Sequence, residues 1–164
     1  SLHKGEVVIY RLDDAGLLEY RSTGSSYAGG SQGFSVQIMR GVSYRVGANR
    51  GNIVKNPDSL QIIDQGSATF TNQRVVFAGT KESREWDFDK FLDVSVSANG
   101  INAFMSVSNR QKTSGLTWTD KNDLTPGIVL AVANDYFEAG ADAAIKRCND
   151  TITEIREVLA SQNK

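Results

Sequence analysis

Few residues in this chain are of a type that does chemistry, and their spacing decides what they can do. His3 is the only histidine and Cys148 the only cysteine among 164 residues. A Ser-His-Asp triad, a Cys-His pair or a histidine metal site therefore cannot be assembled. Two carboxylate pairs remain. Asp13-Asp14 reads as a solvated turn, and Asp87 and Asp89 flank Phe88 as an exposed strand face does, whereas general acid work needs a buried carboxyl. The run from Ser22 to Gly33 is rich in Gly and Ser, but no Gly-Lys-Ser/Thr follows it. It reads as a mobile loop, not a phosphate cradle. Cys148 has no base near it and lies between Ile145 and Ile152 at helical spacing, a core position. The sequence thus predicts no catalytic residue, no metal and no cofactor: not an enzyme.

Cations offer more. Arg40, Arg45, Arg50 and Lys55 recur every five residues, and Arg110 and Lys112 share a turn signal. Odd spacing alternates faces along a strand, so two readings stand: solvated charges around a β framework, or a local patch for an anionic ligand. The patch would comprise Arg45, Arg50, Arg74, Arg110 and Lys112. Net charge is −1 with both signs interspersed, which leaves no long-range field for nucleic acid. Any contact with an anionic lipid surface would have to come from such a patch. No run of about 18 apolar residues occurs, so no transmembrane segment is expected. The lone thiol suggests the cytoplasm, with peripheral attachment at the membrane as the variant, and Ser1 in place of Met suggests a piece of a longer protein.

Something must position these groups, and the hydrophobic pattern predicts mostly strands. Glu6 to Leu12 is apolar on both phases. From Phe34 onward alternation dominates, through Val36, Ile38, Val42, Tyr44, Val46, Leu60 and Ile62, with a turn at Asn56-Pro57-Asp58. Ala68 and Phe70 lead into Asn72-Gln73, and Val75 and Phe77 lead away, as in a tight hairpin. Trp86 and Phe88, then Leu92, Val94 and Val96, then Ile101 to Val107 across the Asn99-Gly100 turn, and finally Leu116 and Trp118 make roughly eight strands in a meander. After Pro126 the period becomes helical, with Gly140 as a break or bend. Residues 1–125 are thus expected to form a small β-barrel or sandwich and 126–164 a long helical segment, one domain overall. Ile145, Cys148, Ile152, Ile155 and Leu159, spaced by threes and fours, make a seam two heptads long that needs an apolar partner.

Tyr44-Arg45-Val46-Gly47, Arg50-Gly51, Gly66, the stretch Thr71-Asn72-Gln73-Arg74-Val75-Val76-Phe77-Ala78-Gly79, Arg84, Leu92-Asp93, Asn99-Gly100-Ile101 and Asn109-Arg110-Gln111-Lys112 resemble bacterial pleckstrin-homology-like (GRAM-like) domains. The resemblance covers roughly residues 5–118. It implies a mainly β fold, a small bent antiparallel barrel of about seven strands capped by a C-terminal helix. It also implies a non-catalytic module whose relatives bind lipid headgroups or peptides. Two departures are a helical tail longer than a cap needs and a near-neutral charge. The expected role is therefore an adaptor acting through protein partners. Anionic ligand or headgroup binding at the barrel mouth, and self-association through the helix, are the alternatives.

Overall fold

In a computed structural model the chain is described over residues 1–22, 26–39, 42–54, 58–97, 101–120 and 123–162, with the side chains of 22–59 excepted. Among the described residues there are nine strands: β1 (Val8–Ser22), β2 (Ser26–Met39), β3 (Val42–Val54), β4 (Asp58–Thr71), β5 (Arg74–Gly79), β6 (Ser83–Asp87), β7 (Phe91–Val96), β8 (Asn102–Val107) and β9 (Ser114–Thr117). Two helices follow, α1 (Thr125–Ala139) and α2 (Ala141–Gln162). The strand order is β2-β3-β7-β8-β9-β1-β4-β5-β6. From β7 to β6 this is a seven-stranded antiparallel sheet, and with the C-terminal helices it has the architecture of a pleckstrin-homology-like bent barrel. The hairpin β2–β3 lies between β1 and β4 in the chain and joins the sheet through a short parallel pairing of β3 with β7.

Alternation along the strands builds the core. Ala103, Met105 and Val107 of β8 point inward, with Val94 and Val96 of β7, Leu116 of β9, Val75 and Phe77 of β5, and Phe70 of β4. Trp86 of β6 is fully buried and its indole N–H donates to Ser114 Oγ at 3.0 Å, so the last strand reaches across to β9. That bond holds the curl of the open sheet. Helix α1 supplies Leu130, Ala131 and Ala133 to the same core. Burying a side chain such as Leu130 contributes about 1.5–3 kcal/mol. Trp118 tethers the approach to α1 by donating its indole N–H to the Asp123 carbonyl at 3.1 Å, and Pro126 fills the first helical turn.

Sequence and structure differ in four places. The Gly/Ser stretch expected to be a mobile loop forms part of β2 from Ser26 onward, paired residue by residue with β3. Small residues have no side chain to bury but keep every backbone group a ladder needs. Asp13-Asp14 is not a turn. Both residues sit inside β1 at the register shift between Leu12 and Ala15, exposed. Phe88 does not extend β6 but opens a 3-10 turn, Phe88–Lys90. The strands also do not run as a meander, because β1 pairs with β4 and β9 and not with β2. The turns expected at Asn56-Pro57 and Asn99-Gly100 lie outside the described residues.

One polar device shapes the loop between β5 and β6. Asp64, buried on β4, accepts from Thr80 Oγ1 at 2.7 Å and from the amides of Lys81 and Glu82 at 2.8 Å each. Those donors, the Lys81 amide foremost, outweigh burial and hold its carboxyl well below the usual range. Gly79 is required beside it, since a Cβ there would stand 2.2 Å from Asp64 Oδ2. Asp64→Ala is expected to lower the melting temperature by on the order of 5 °C in a calorimetric scan. An unchanged melting point would mean the loop holds itself.

Candidate functional site

Of the five candidate cations, Arg74 is not a surface group. Arg74 leaves the β4–β5 hairpin and is internal: its Nε donates to Glu6 Oε1 at 2.8 Å, its Nη1 to Glu85 Oε2 at 2.7 Å, and its side chain is only 7% exposed. Thr71 Oγ1 also donates to Glu6 at 2.9 Å while accepting the Arg74 amide at 3.0 Å. Burial alone would raise the Glu6 carboxyl, but Arg74, the His3 amide and Thr71 outweigh it and bring its pKa down to about 2. This ion pair fastens the N-terminal segment to the hairpin, so Arg74 is a structural residue. Asn72 completes the fastening, accepting from the Val7 amide at 2.7 Å and donating to the Gly5 carbonyl at 3.1 Å. Arg45 and Arg50 lie on β3, where the side chains fall outside the described residues.

Arg110 and Lys112 occupy the turn between β8 and β9. Lys112 is exposed. Arg110 lies with its Cζ 6.0 Å from the ring centroid of Trp86. Its Nη1 is buried without a hydrogen-bond partner, and among the described residues the guanidinium makes no hydrogen bond and no ion pair. Desolvation, reinforced by the nearby charge of Arg84, lowers its pKa. Arg84 by contrast is fully engaged, donating to Glu19 Oε1 at 2.6 Å and Glu82 Oε2 at 2.8 Å.

The helix seam is the second feature. Gly140, at φ +87° and ψ −178°, ends α1 in a backbone conformation that favours glycine, and α2 starts at once. Arg147 Nε donates to Asp135 Oδ2 at 2.7 Å and ties the two helices near that corner. Only Ala144 of α2 is buried; 143, 147, 148 and 151 are half-buried, and every residue from 152 to 162 is exposed. Ile145 is 58% exposed, Ile152 46%, Ile155 40% and Leu159 55%, with Val158 beside them. The expectation that Ile145 and Ile152 place Cys148 in the core is therefore corrected. The helix diverges from the barrel, so its apolar seam faces water and Cys148 is half-buried. The chain matches no protein-family profile, no curated protein and no solved structure.

A cleft of about 440 Å³ lies between the N-terminal segment, the β4–β5 turn and α1, lined by His3, Gln73, Asp87, Asp89, Tyr136 and Phe137. Asp87 is engaged by Lys90 at 2.8 Å. No cluster of three or more His, Cys, Asp or Glu suited to a metal occurs among the described residues. Nor is any helix among them long and apolar enough to cross a membrane. Sequence reasoning missed the isolation of Arg110 because it follows from the absence of an acceptor in three dimensions, which spacing does not encode.

Proposed function

We propose that the protein is a non-catalytic interaction module that recruits a protein partner through the apolar seam of α2. The observation that carries this reading is the run from 152 to 162, helical and exposed throughout, with Ile152, Ile155, Val158 and Leu159 on it. An amphipathic helix draws its stability largely from packing its apolar face, and this stretch of α2 has no packing partner among the described residues. The three-and-four spacing of the seam suits an amphipathic helix as the partner element. A non-catalytic role is consistent with the carboxylates whose titration is displaced among the described residues, Glu6 and Asp64: both are lowered and held by structural donors, the opposite of a poised general acid.

The test is photo-crosslinking from position 155 in the native cell, with position 146 on the polar face as control. A discrete adduct from 155 alone, abolished by Ile152→Glu and rebuilt with the purified partner, is the expected result. Equal adducts from both positions, or none, remove the reading. Light scattering of the purified chain decides the remaining occupant, since a stable dimer at micromolar concentration would replace the foreign partner with a second copy.

A further inference from the structure

Arg110 and the free edge of β6 belong together, independently of the α2 seam. Strand β6 ends the sheet, with no strand on its outer side among the described residues. Its ladder with β5 is bracketed by two bonds, Gly79 N–H to the Glu82 carbonyl at 2.9 Å and Phe88 N–H to the Gln73 carbonyl at 3.0 Å. In an antiparallel pair the hydrogen-bonding residues alternate. With the pairing Arg74↔Asp87 through Ala78↔Ser83, residues 82, 84, 86 and 88 face β5. The backbone groups of Ser83, Glu85 and Asp87 therefore point off the edge. The Ser83 carbonyl is taken by Arg84 Nη1 at 2.8 Å, which leaves Glu85 and Asp87 with N–H and C=O groups for an added strand.

Beside that edge stands Arg110, a cation without a partner among the described residues. A half-buried guanidinium without an acceptor is costly, and its five donors form a fork that matches one carboxylate. Trp86 backs it as a flat platform. The neighbouring charges are already paired: Arg84 with Glu19 and Glu82, Glu85 with Arg74 and Asp87 with Lys90, so Arg110 is the group beside this edge, among the described residues, that has a charge left for a carboxylate.

We propose that an extended protein segment docks as an extra strand on the Glu85–Asp87 edge of β6 and seats one carboxylate side chain on Arg110 above Trp86. The probes are a capped seven-residue Val/Thr peptide with one central glutamate, its glutamine twin, sodium acetate, and vesicles of anionic lipid. Amide and Arg Nε–H resonances of the full chain are followed. Acetate in large excess is expected to move the Arg110 Nε–H signal. The glutamate peptide is expected to move it together with the Glu85 and Asp87 amides, and to bind at least about tenfold tighter than its twin, the factor of one charge-assisted hydrogen bond. Arg110→Met should abolish that discrimination while melting at or slightly above the wild-type temperature, because a half-buried charge without a partner among the described residues has been removed.

Silence of Arg110 towards acetate overturns the proposal. So does a response to the peptide that leaves the Glu85 and Asp87 amides unmoved, or a response to vesicles alone, which would assign the site to a membrane surface. A clear fall in the melting temperature of Arg110→Met also overturns it, since the guanidinium would then already have its partner within the fold.

Discussion

Glu6→Ala is expected to cost about 3–5 kcal/mol of unfolding free energy, among the largest losses available to a single substitution here, because it strands a buried cation. The Glu6 side chain is fully buried and Arg74 only 7% exposed, and the remaining partners of Arg74 are Glu85, itself half-exposed, and the Ser1 carbonyl. The Thr71 hydroxyl would lose an acceptor at the same time. Denaturant titration at neutral pH measures the loss. The same carboxylate makes stability depend on acid. Its pKa falls from an ordinary 4.5 to about 2 in the fold, so the folded state binds this proton less readily than the unfolded chain. The contribution is therefore complete above pH 4.5 and disappears as pH falls from 4.5 towards 2. A shift of that size corresponds to roughly 3 kcal/mol. Glu6→Gln should flatten the dependence in that window. Parallel pH profiles for the two proteins would show that other carboxylates carry the acid sensitivity.

The Glu6 to Arg74 pair also marks how far the sequence could be read. Thr71 to Gly79 announces its hairpin through local chemistry: two residues suited to a turn, alternation on either side, and a hydroxyl placed to hold the Gln73 and Arg74 amides. Such information is contained within ten residues. The partner of Arg74 is 68 positions away, and nothing in the spacing of charges distinguishes a buried arginine from a ligand-binding one. Strand β2 was obscured for a different reason. Its Gly and Ser residues carry the signature of loops, and only pairing with β3 makes a strand of them. Helix α2 was visible as a periodic pattern, with Gly140 as a break or bend, but the direction it takes turns on the backbone angles of that one residue, which the pattern does not encode. Whether the seam faced the barrel or water was therefore beyond the pattern.

Trp86→Ala should be about as damaging, on the order of 3–5 kcal/mol from the lost side chain and the cavity it leaves. Two further losses add to it. Ser114, itself buried, keeps its hydroxyl but loses the indole donor, a desolvated group left short of a partner at about 1–3 kcal/mol. Arg110 loses the ring beneath it, worth about 0.5–1 kcal/mol where a cation is partly exposed. Trp86→Phe separates these effects, since it keeps an aromatic body while removing the N–H, and should cost less than half as much. A double-mutant cycle with Arg110→Met isolates the ring–cation contact. Because domains of this size hold only about 5–15 kcal/mol in total, Trp86→Ala should leave the chain close to unfolding at room temperature, detectable as collapse of the denaturation midpoint. A loss below about 2 kcal/mol would mean that the curl of the sheet does not depend on the β6 to β9 bridge. The closure would then rest on α1, whose Leu130 and Ala133 meet the same core, and Leu130→Ala would become the more damaging substitution.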